Sequence, residues 1–275
     1  MPANKPKRER PSGQAKLKAK RSLGQNFLVD PPVTAKIIEA FDPQPDDAVV
    51  EIGPGHGALT ELLVDEVGHF VALEFDRHLA ELLRRRFADR ENFTLIEGDA
   101  LLTDFGRLAK QVGRPLRLIA NLPYNVSTAI LQRLFESAAT FSDCVLMFQR
   151  EVVDRITAEP GTKDRGYLSV MTEAYFRVER LFDVSPVAFR PVPKVWSAVV
   201  RLTPRSDPPL DRDSFRHLVA ASFRQKRKTI VNNLKTAIPD AQTLLAASGI
   251  APGRRAETLD RDEWRRLADS CAQKV

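Results

Sequence analysis

Cysteine is scarce in this 275-residue chain: Cys144 and Cys271 are too few for a disulfide framework, which points to a reducing compartment. The four histidines, His56, His69, His78 and His217, have no metal-ligand spacing with either cysteine, so no metal is expected. No apolar run approaches the length of a membrane span, and the first residues lack the apolar stretch of a secretory leader. Pro2, Pro6 and Pro11 interrupt the amphipathic helix that an Arg-rich organelle leader would need, which leaves the cytoplasm as the expected location. There is no internal repeat.

What is present is charge, unevenly placed. The net +6 divides into +7 over residues 1–21, −5 over 22–205 and +4 over 206–275. Basic ends around an acidic middle suit a core that holds a cation while its flanks hold a polyanion. The first twenty residues read as a basic arm, whose alternative is a solubilising tail. The cluster Arg224, Lys226, Arg227 and Lys228 reads as a phosphate-binding surface or, alternatively, as a solvated helix face.

Punctuation and periodicity divide the rest. Asp30 is an N-cap with Pro31 at the first helical position. Strand-like runs at 48–52, 70–74, 93–97, 116–120 and 144–148 alternate with helical patterns at 58–67, 77–88, 104–112 and 126–137. A helix over 151–159, a polar loop over 161–166 and late strands at 176–182 and 196–203 follow. This alternation predicts an α/β fold, a Rossmann-like parallel sheet with helices on both faces, whose ligands sit outside the carboxyl ends of the strands. The Pro-rich stretch 203–209 then leads to helices at 211–223, 226–236, 240–248 and 260–272, a small all-α C-terminal domain over 206–275 after a main domain over 21–205.

Chemistry gathers at the predicted strand ends. Gly53, Gly55 and Gly57 follow the first run in a Gly-x-Gly-x-Gly spacing, one residue short of the dinucleotide fingerprint, which suits a nucleotide-like ligand without a pyrophosphate. Glu74 closes the second run, about twenty residues beyond the glycines, where a carboxylate can accept ribose hydroxyls. Asp99 follows the third, in reach of an adenine amine. The fourth ends in Asn121-Leu122-Pro123-Tyr124, an amide, a turned-out carbonyl and a flat ring. An exocyclic adenine amine is a poor nucleophile because its lone pair is delocalised; two acceptors and a stacking ring can orient it without a strong base. A Pro turn with a half-buried Tyr is the bland alternative.

With these motifs, the blocks Lys20–Leu28, Gln149–Val153, Pro191–Val195 with Ser197–Val200, and Phe223–Thr229 complete a resemblance to the small-subunit (16S) ribosomal RNA adenine N6,N6-dimethyltransferases, the family linked to kasugamycin sensitivity. The related macrolide-resistance methyltransferases share the core motifs but resemble the chain less at Pro191–Val195 and in the basic C-terminal segment. No chemical position departs from the pattern; the long basic arm is the less typical part. The resemblance implies a class I methyltransferase fold with S-adenosylmethionine as cofactor. Asn26 and Leu28 would cover its methionine portion, the alternative being that Phe27 and Leu28 only pack the arm onto the core; Gly53 and Gly55 would pass beneath it, Glu74 would hold the ribose, Asp99 the adenine, and Asn121 would touch both ligands. Asn121 and a carbonyl of Leu122 or Pro123 would accept the substrate amine, with the base between Tyr124 and Phe189; a core Phe is the bland alternative for Phe189. Arg190, Lys194, Arg224, Lys226, Arg227 and Lys228 would contact RNA. The implied reaction is dimethylation of two adjacent adenines in a hairpin loop near the 3′ end of small-subunit ribosomal RNA, on an immature 30S-type subunit, by a monomer. A non-catalytic assembly or transcription factor on the same fold is the alternative, and a nicotinamide oxidoreductase is disfavoured by the shortened glycine motif.

Overall fold

The computed structural model describes residues 24–209 and 211–272. The arm expected over residues 1–20 lies outside the described residues, as do Lys20–Leu23 of the first motif. In chain order the elements are β1 (Phe27–Leu28), α1 (Pro31–Phe41), β2 (Ala48–Ile52), α2 (Thr60–Leu63), β3 (His69–Glu74), α3 (Arg77–Arg86), β4 (Phe93–Glu97), α4 (Phe105–Val112) and β5 (Leu116–Asn121). Then come α5 (Ser127–Glu136), β6 (Phe141–Gln149), α6 (Arg150–Ile156), α7 (Tyr167–Tyr175), β7 (Phe176–Val184), β8 (Phe189–Arg190) and β9 (Ser197–Pro204). Four helices finish the chain: α8 (Arg212–Ser222), α9 (Ile230–Leu234), α10 (Ala241–Ala247) and α11 (Arg261–Ala272).

Short polar residues start these helices by accepting backbone N–H groups that have no partner inside the helix. Asp30 accepts from Val33, Asp104 from Arg107 and Asp211 from Ser214. At α11 the caps are reciprocal, Glu263 N–H donating to Asp260 and Asp260 N–H to Glu263. The second expected helix is much shorter than the pattern 58–67, because the turns that carry the glycines extend to Leu59 and leave α2 only four residues.

The main sheet runs β4-β3-β2-β5-β6-β9-β7, parallel through β6, with β9 antiparallel to both neighbours. Strand order reverses between β2 and β5, the place where an open α/β sheet leaves a crevice at its carboxyl edge. The alternation of side chains sends Val49, Ile119, Val145 and Met147 into one apolar layer under α1, α2 and α3. Val50, Leu118, Leu146 and Phe148 enter the other, under α4 to α7.

That second layer continues without interruption into Phe215, Leu218, Leu244, Trp264 and Leu267 of the C-terminal helices. The junction is pinned by Arg165, 4 % exposed, which donates to Ala158 O, the Glu173 carboxylate and Leu259 O. The expected loop 161–166 is therefore a docking segment. Helix α7 behind it was not expected; nearly all its residues are buried, so it has no polar stripe to betray a helical period. The helix expected over 226–236 is confined to Ile230–Leu234, and Arg224–Lys228 form a turn. Asn233, 4 % exposed, makes that turn: its side chain donates to Ser222 O and Gln225 O and accepts from Gln225 N–H.

At the opposite edge of the sheet from the crevice, Asp143 on β6 accepts from Arg117 on β5 and from Arg201 on β9. It joins the last parallel strands to the antiparallel one. Asp143→Ala leaves two little-exposed guanidinium groups short of a partner and should destabilise the fold by about 3 kcal/mol. Urea unfolding measures this, and cofactor affinity of the folded variant should stay at its parent value because the crevice lies at the other end of the strands.

Candidate active site

One cavity occupies the crevice, and its wall is drawn from every predicted strand end: Gly53, Gly55, Glu74, Asp99, Asn121 to Tyr124, and Asn26 and Leu28. The glycine turn forms its floor. Gly55 has φ +62°, and a Cβ there would lie 3.1 Å from the Phe27 ring, so the residue is required twice over, by conformation and by packing.

Glu74 is 5 % exposed, and each of its carboxylate oxygens accepts one backbone N–H, from Gly55 at 3.0 Å and from Asp76 at 2.8 Å. Burial raises its pKa while these two donors oppose the rise. A carboxylate has about four acceptor positions, so two remain for hydroxyls. Asp99, half-buried, accepts from Leu101 N–H with one oxygen and keeps the other for a ligand.

The segment Gly24–Leu28 lies across these loops. Gln25 donates to Asp76, the Phe27 ring meets His56 at 4.4 Å between centroids, and β1 pairs with β8, Phe27 opposite Arg190 and Leu28 opposite Phe189. Asn121 Nδ2 donates to Asn26 O at 3.1 Å. A carbonyl can only accept, so this bond identifies the nitrogen and, by elimination, the oxygen of the amide. Beyond it, Pro123 O accepts Val126 N–H at 3.1 Å, and the Tyr124 hydroxyl meets Ser197 Oγ at 2.6 Å. The amide oxygen and the Leu122 carbonyl are thus the less committed acceptors at this strand end.

Phe189 corrects an expectation. It is 0 % exposed, packed in the apolar layer with Leu28, Ile37 and Met147, and it does not line the cavity, so its ring offers no face to a base. Its part here is to anchor β8, and through β8 the segment that carries Asn26. Arg190, Lys194, Arg224, Lys226, Arg227 and Lys228 are all exposed, but in two separate places: Arg190 ends β8 and Lys194 follows it in the connection to β9, while the other four lie in the turn held by Asn233. Phe75, 61 % exposed, also lines the cavity and was not singled out, since a Phe beside the carboxylate carries no motif of its own. Among the described residues no group of three or more His, Cys, Asp or Glu could hold a metal, and no helix is long and apolar enough to cross a membrane.

Glu51 was likewise given no role. It lines the cavity at 2 % exposure and accepts from Thr60 Oγ1 at 2.6 Å. Burial pushes its carboxyl from 4.5 up to about 8, against the Thr60 hydrogen bond and with help from the Glu74 charge. A raised acid stabilises the fold fully below its unfolded value and loses that contribution as pH rises through its folded value. Glu51→Gln removes the titration and keeps an acceptor for Thr60. The stability of the ligand-free variant relative to its parent should therefore increase from about pH 4.5 to about pH 8 and level off above. Thermal unfolding across pH tests this; a difference that is flat with pH would mean that Glu51 is ionised in the folded chain.

The geometry has counterparts. The family model described as ribosomal RNA adenine dimethylase matches residues 16–273. Ribosomal RNA small subunit methyltransferase A of Chromohalobacter salexigens is 46 % identical over 261 residues, 93 % of this chain and 92 % of that protein. Its namesake from Aromatoleum aromaticum is 48 % identical over 245 residues, 88 % and 90 % of the two chains. Among solved structures, a dimethyladenosine transferase from Plasmodium falciparum shares the fold at TM-score 0.76 and 24 % identity, covering 90 % of this chain and 98 % of that one. The 23S rRNA methyltransferase ErmE superposes at TM-score 0.66 with 28 % identity over 90 % of this chain and all of its own. The chain belongs to the ribosomal RNA adenine dimethylase family and is an S-adenosylmethionine-dependent methyltransferase acting on ribosomal RNA.

Proposed function

We propose that this enzyme dimethylates N6 of two adjacent adenines in a hairpin loop near the 3′ end of small-subunit ribosomal RNA. On this reading it acts as a cytoplasmic monomer on an immature 30S-type subunit. The small-subunit methyltransferases to which the chain is 42 to 48 % identical support the choice of subunit. The observation that carries the chemistry is the Asn121 amide, oriented by Asn26 O in the same cavity as Glu74 and Asp99.

The residues present suit the cofactor. The glycine turn exposes backbone rather than side chains to the cavity, Glu74 retains acceptor capacity for the two ribose hydroxyls, and Asp99 has an oxygen for an adenine amine. Phe75 and Leu28 would cover the ligand, and Glu74 and Asp99 make the cavity acidic. When bound, S-adenosylmethionine supplies an electrophilic methyl on a positively charged sulfur.

Asn121 Oδ1 and Leu122 O would accept the two hydrogens of the adenine amine, localise its lone pair and aim it, while stabilising the positive charge that develops on nitrogen. Tyr124 would carry the base. Its bond to Ser197 anchors the hydroxyl end of the side chain, which lowers the ordering that stacking costs. Basic side chains at the β8–β9 connection and the α8–α9 turn, with the arm, would hold phosphates.

Glu74→Ala should weaken cofactor binding by about 2 to 4 kcal/mol, since it removes a charged acceptor from two hydroxyls. Titration calorimetry reads the loss, and parental affinity would take Glu74 out of the site. The reaction itself is tested with tritiated S-adenosylmethionine and unmethylated small subunits, followed by mapping of the label. Asn121→Ala should lower single-turnover transfer by about 30- to 1000-fold while subunit binding persists. Tyr124→Ala should lose about 1 to 3 kcal/mol, and Tyr124→Phe, which keeps the ring, should lose less. Label elsewhere in the RNA would displace the proposed substrate; undiminished transfer by Asn121→Ala would displace the proposed chemistry.

A further inference from the structure

Of the chain's two tryptophans, Trp264 is sealed in the helical core at 1 % exposure, whereas Trp196 is 45 % exposed and has no part in the site described above. Its backbone carbonyl accepts Arg150 N–H at 2.9 Å, which extends the β6–β9 ladder one step past the pair Gln149 and Ser197, so its position is set by the sheet. The next residue, Ser197, is the one whose hydroxyl holds Tyr124 at 2.6 Å. Consecutive Cα atoms are about 3.8 Å apart, so the Trp196 backbone stands within about 9 Å of the Tyr124 hydroxyl.

One cation meets the indole, and the segment that leads to it is apolar and basic. Arg150 lies over the ring, its guanidinium carbon 6.0 Å from the centroid. Residues 187–196 contain Arg190 and Lys194 and no acid, and Val187, Val192 and Val195 of the same segment are exposed. Pro191 and Pro193 stiffen the segment, which lowers the entropy lost when it is covered. An exposed indole with flanking cations is the composition that single-stranded nucleic acid uses: a flat face for a base and charge for the phosphates on either side.

We propose that Trp196 is a stacking platform for an unpaired nucleotide flanking the target adenine, with Arg150, Arg190 and Lys194 beside its phosphates. The inference rests on the reading that Tyr124 carries the target base. A base pulled from a loop leaves its neighbours unstacked, and a second aromatic at the rim replaces the stacking they lose. Trp196 would then place the strand as well as hold it, acting on binding rather than on the methyl transfer itself.

The test uses the full chain and unmethylated small subunits. Trp196→Ala should raise the KM for subunits by about 5- to 150-fold, the range of one lost base stack, with single-turnover transfer at saturation and cofactor affinity close to parental. Trp196→Phe should restore most of the loss. A photo-crosslinking phenylalanine analogue in place of Trp196 should attach to a nucleotide next to the methylated adenines. Parental KM for Trp196→Ala overturns the proposal, as does a crosslink confined to a ribosomal protein or to distant RNA, or no crosslink to RNA at all. Tyr124→Ala, measured alongside, separates the two ideas: if it transfers like the parent, the underlying reading fails whatever Trp196 does.

Discussion

The donation from Asn121 Nδ2 to Asn26 O is the interaction on which the site depends. A free amide can present either its oxygen or its nitrogen, and only the oxygen can accept from an adenine amine. Binding the nitrogen to a main-chain carbonyl removes the ambiguity. The constraint is only as good as the carbonyl's own placement, and that carbonyl belongs to a segment fastened at several points: to Asp76 through Gln25, to His56 through Phe27, and to β8 through a two-residue ladder. Because the same segment lines the cavity with Asn26 and Leu28, the half of the site proposed for the cofactor and the half proposed for the amine share one wall.

The sheet explains why these groups meet. Parallel strands bring all their carboxyl ends to one edge, and the order reversal between β2 and β5 opens that edge between Gly53 and Asn121. What the edge gathers is acidic and dry. Glu51 and Glu74 are both nearly buried, and the Glu74 charge adds to the burial that keeps Glu51 protonated. A carboxylate as little exposed as Glu74 gains from a cation, which is the charge that a sulfonium cofactor brings.

Much of this was legible in the chain because the signals were local. N-caps such as Asp30 and Asp104, glycines at strand ends, and apolar runs of strand length each state their structure within a few residues. The ladder β1–β8 did not announce itself, since strands of two residues have no period, and so nothing local favoured the core alternative for Phe189 over the stacking one. Helix α7 escaped for the opposite reason: buried on nearly every side, it shows no polar face. At Arg224–Lys228 good helix formers occupy a turn, because the buried Asn233 satisfies the turn's backbone groups better than one more helical turn would. Glu51 lies inside the first strand-like run, and its protonation follows from burial that no short window encodes.

The placement of charge also bears on how a single base could be selected from a polyanion. The acids Glu74 and Asp99 line the cavity, while Arg150, Arg190 and Lys194 are exposed and outside its lining. A phosphate entering the cavity would meet Glu74 and Asp99 in a poorly solvated space, a repulsion that grows as water is excluded. The base of an extruded nucleotide carries no charge and meets no such barrier. On the proposed function, then, the acidic interior excludes the backbone, the basic rim retains it, and the separation between them leaves entry to a nucleotide whose base has turned out of the strand.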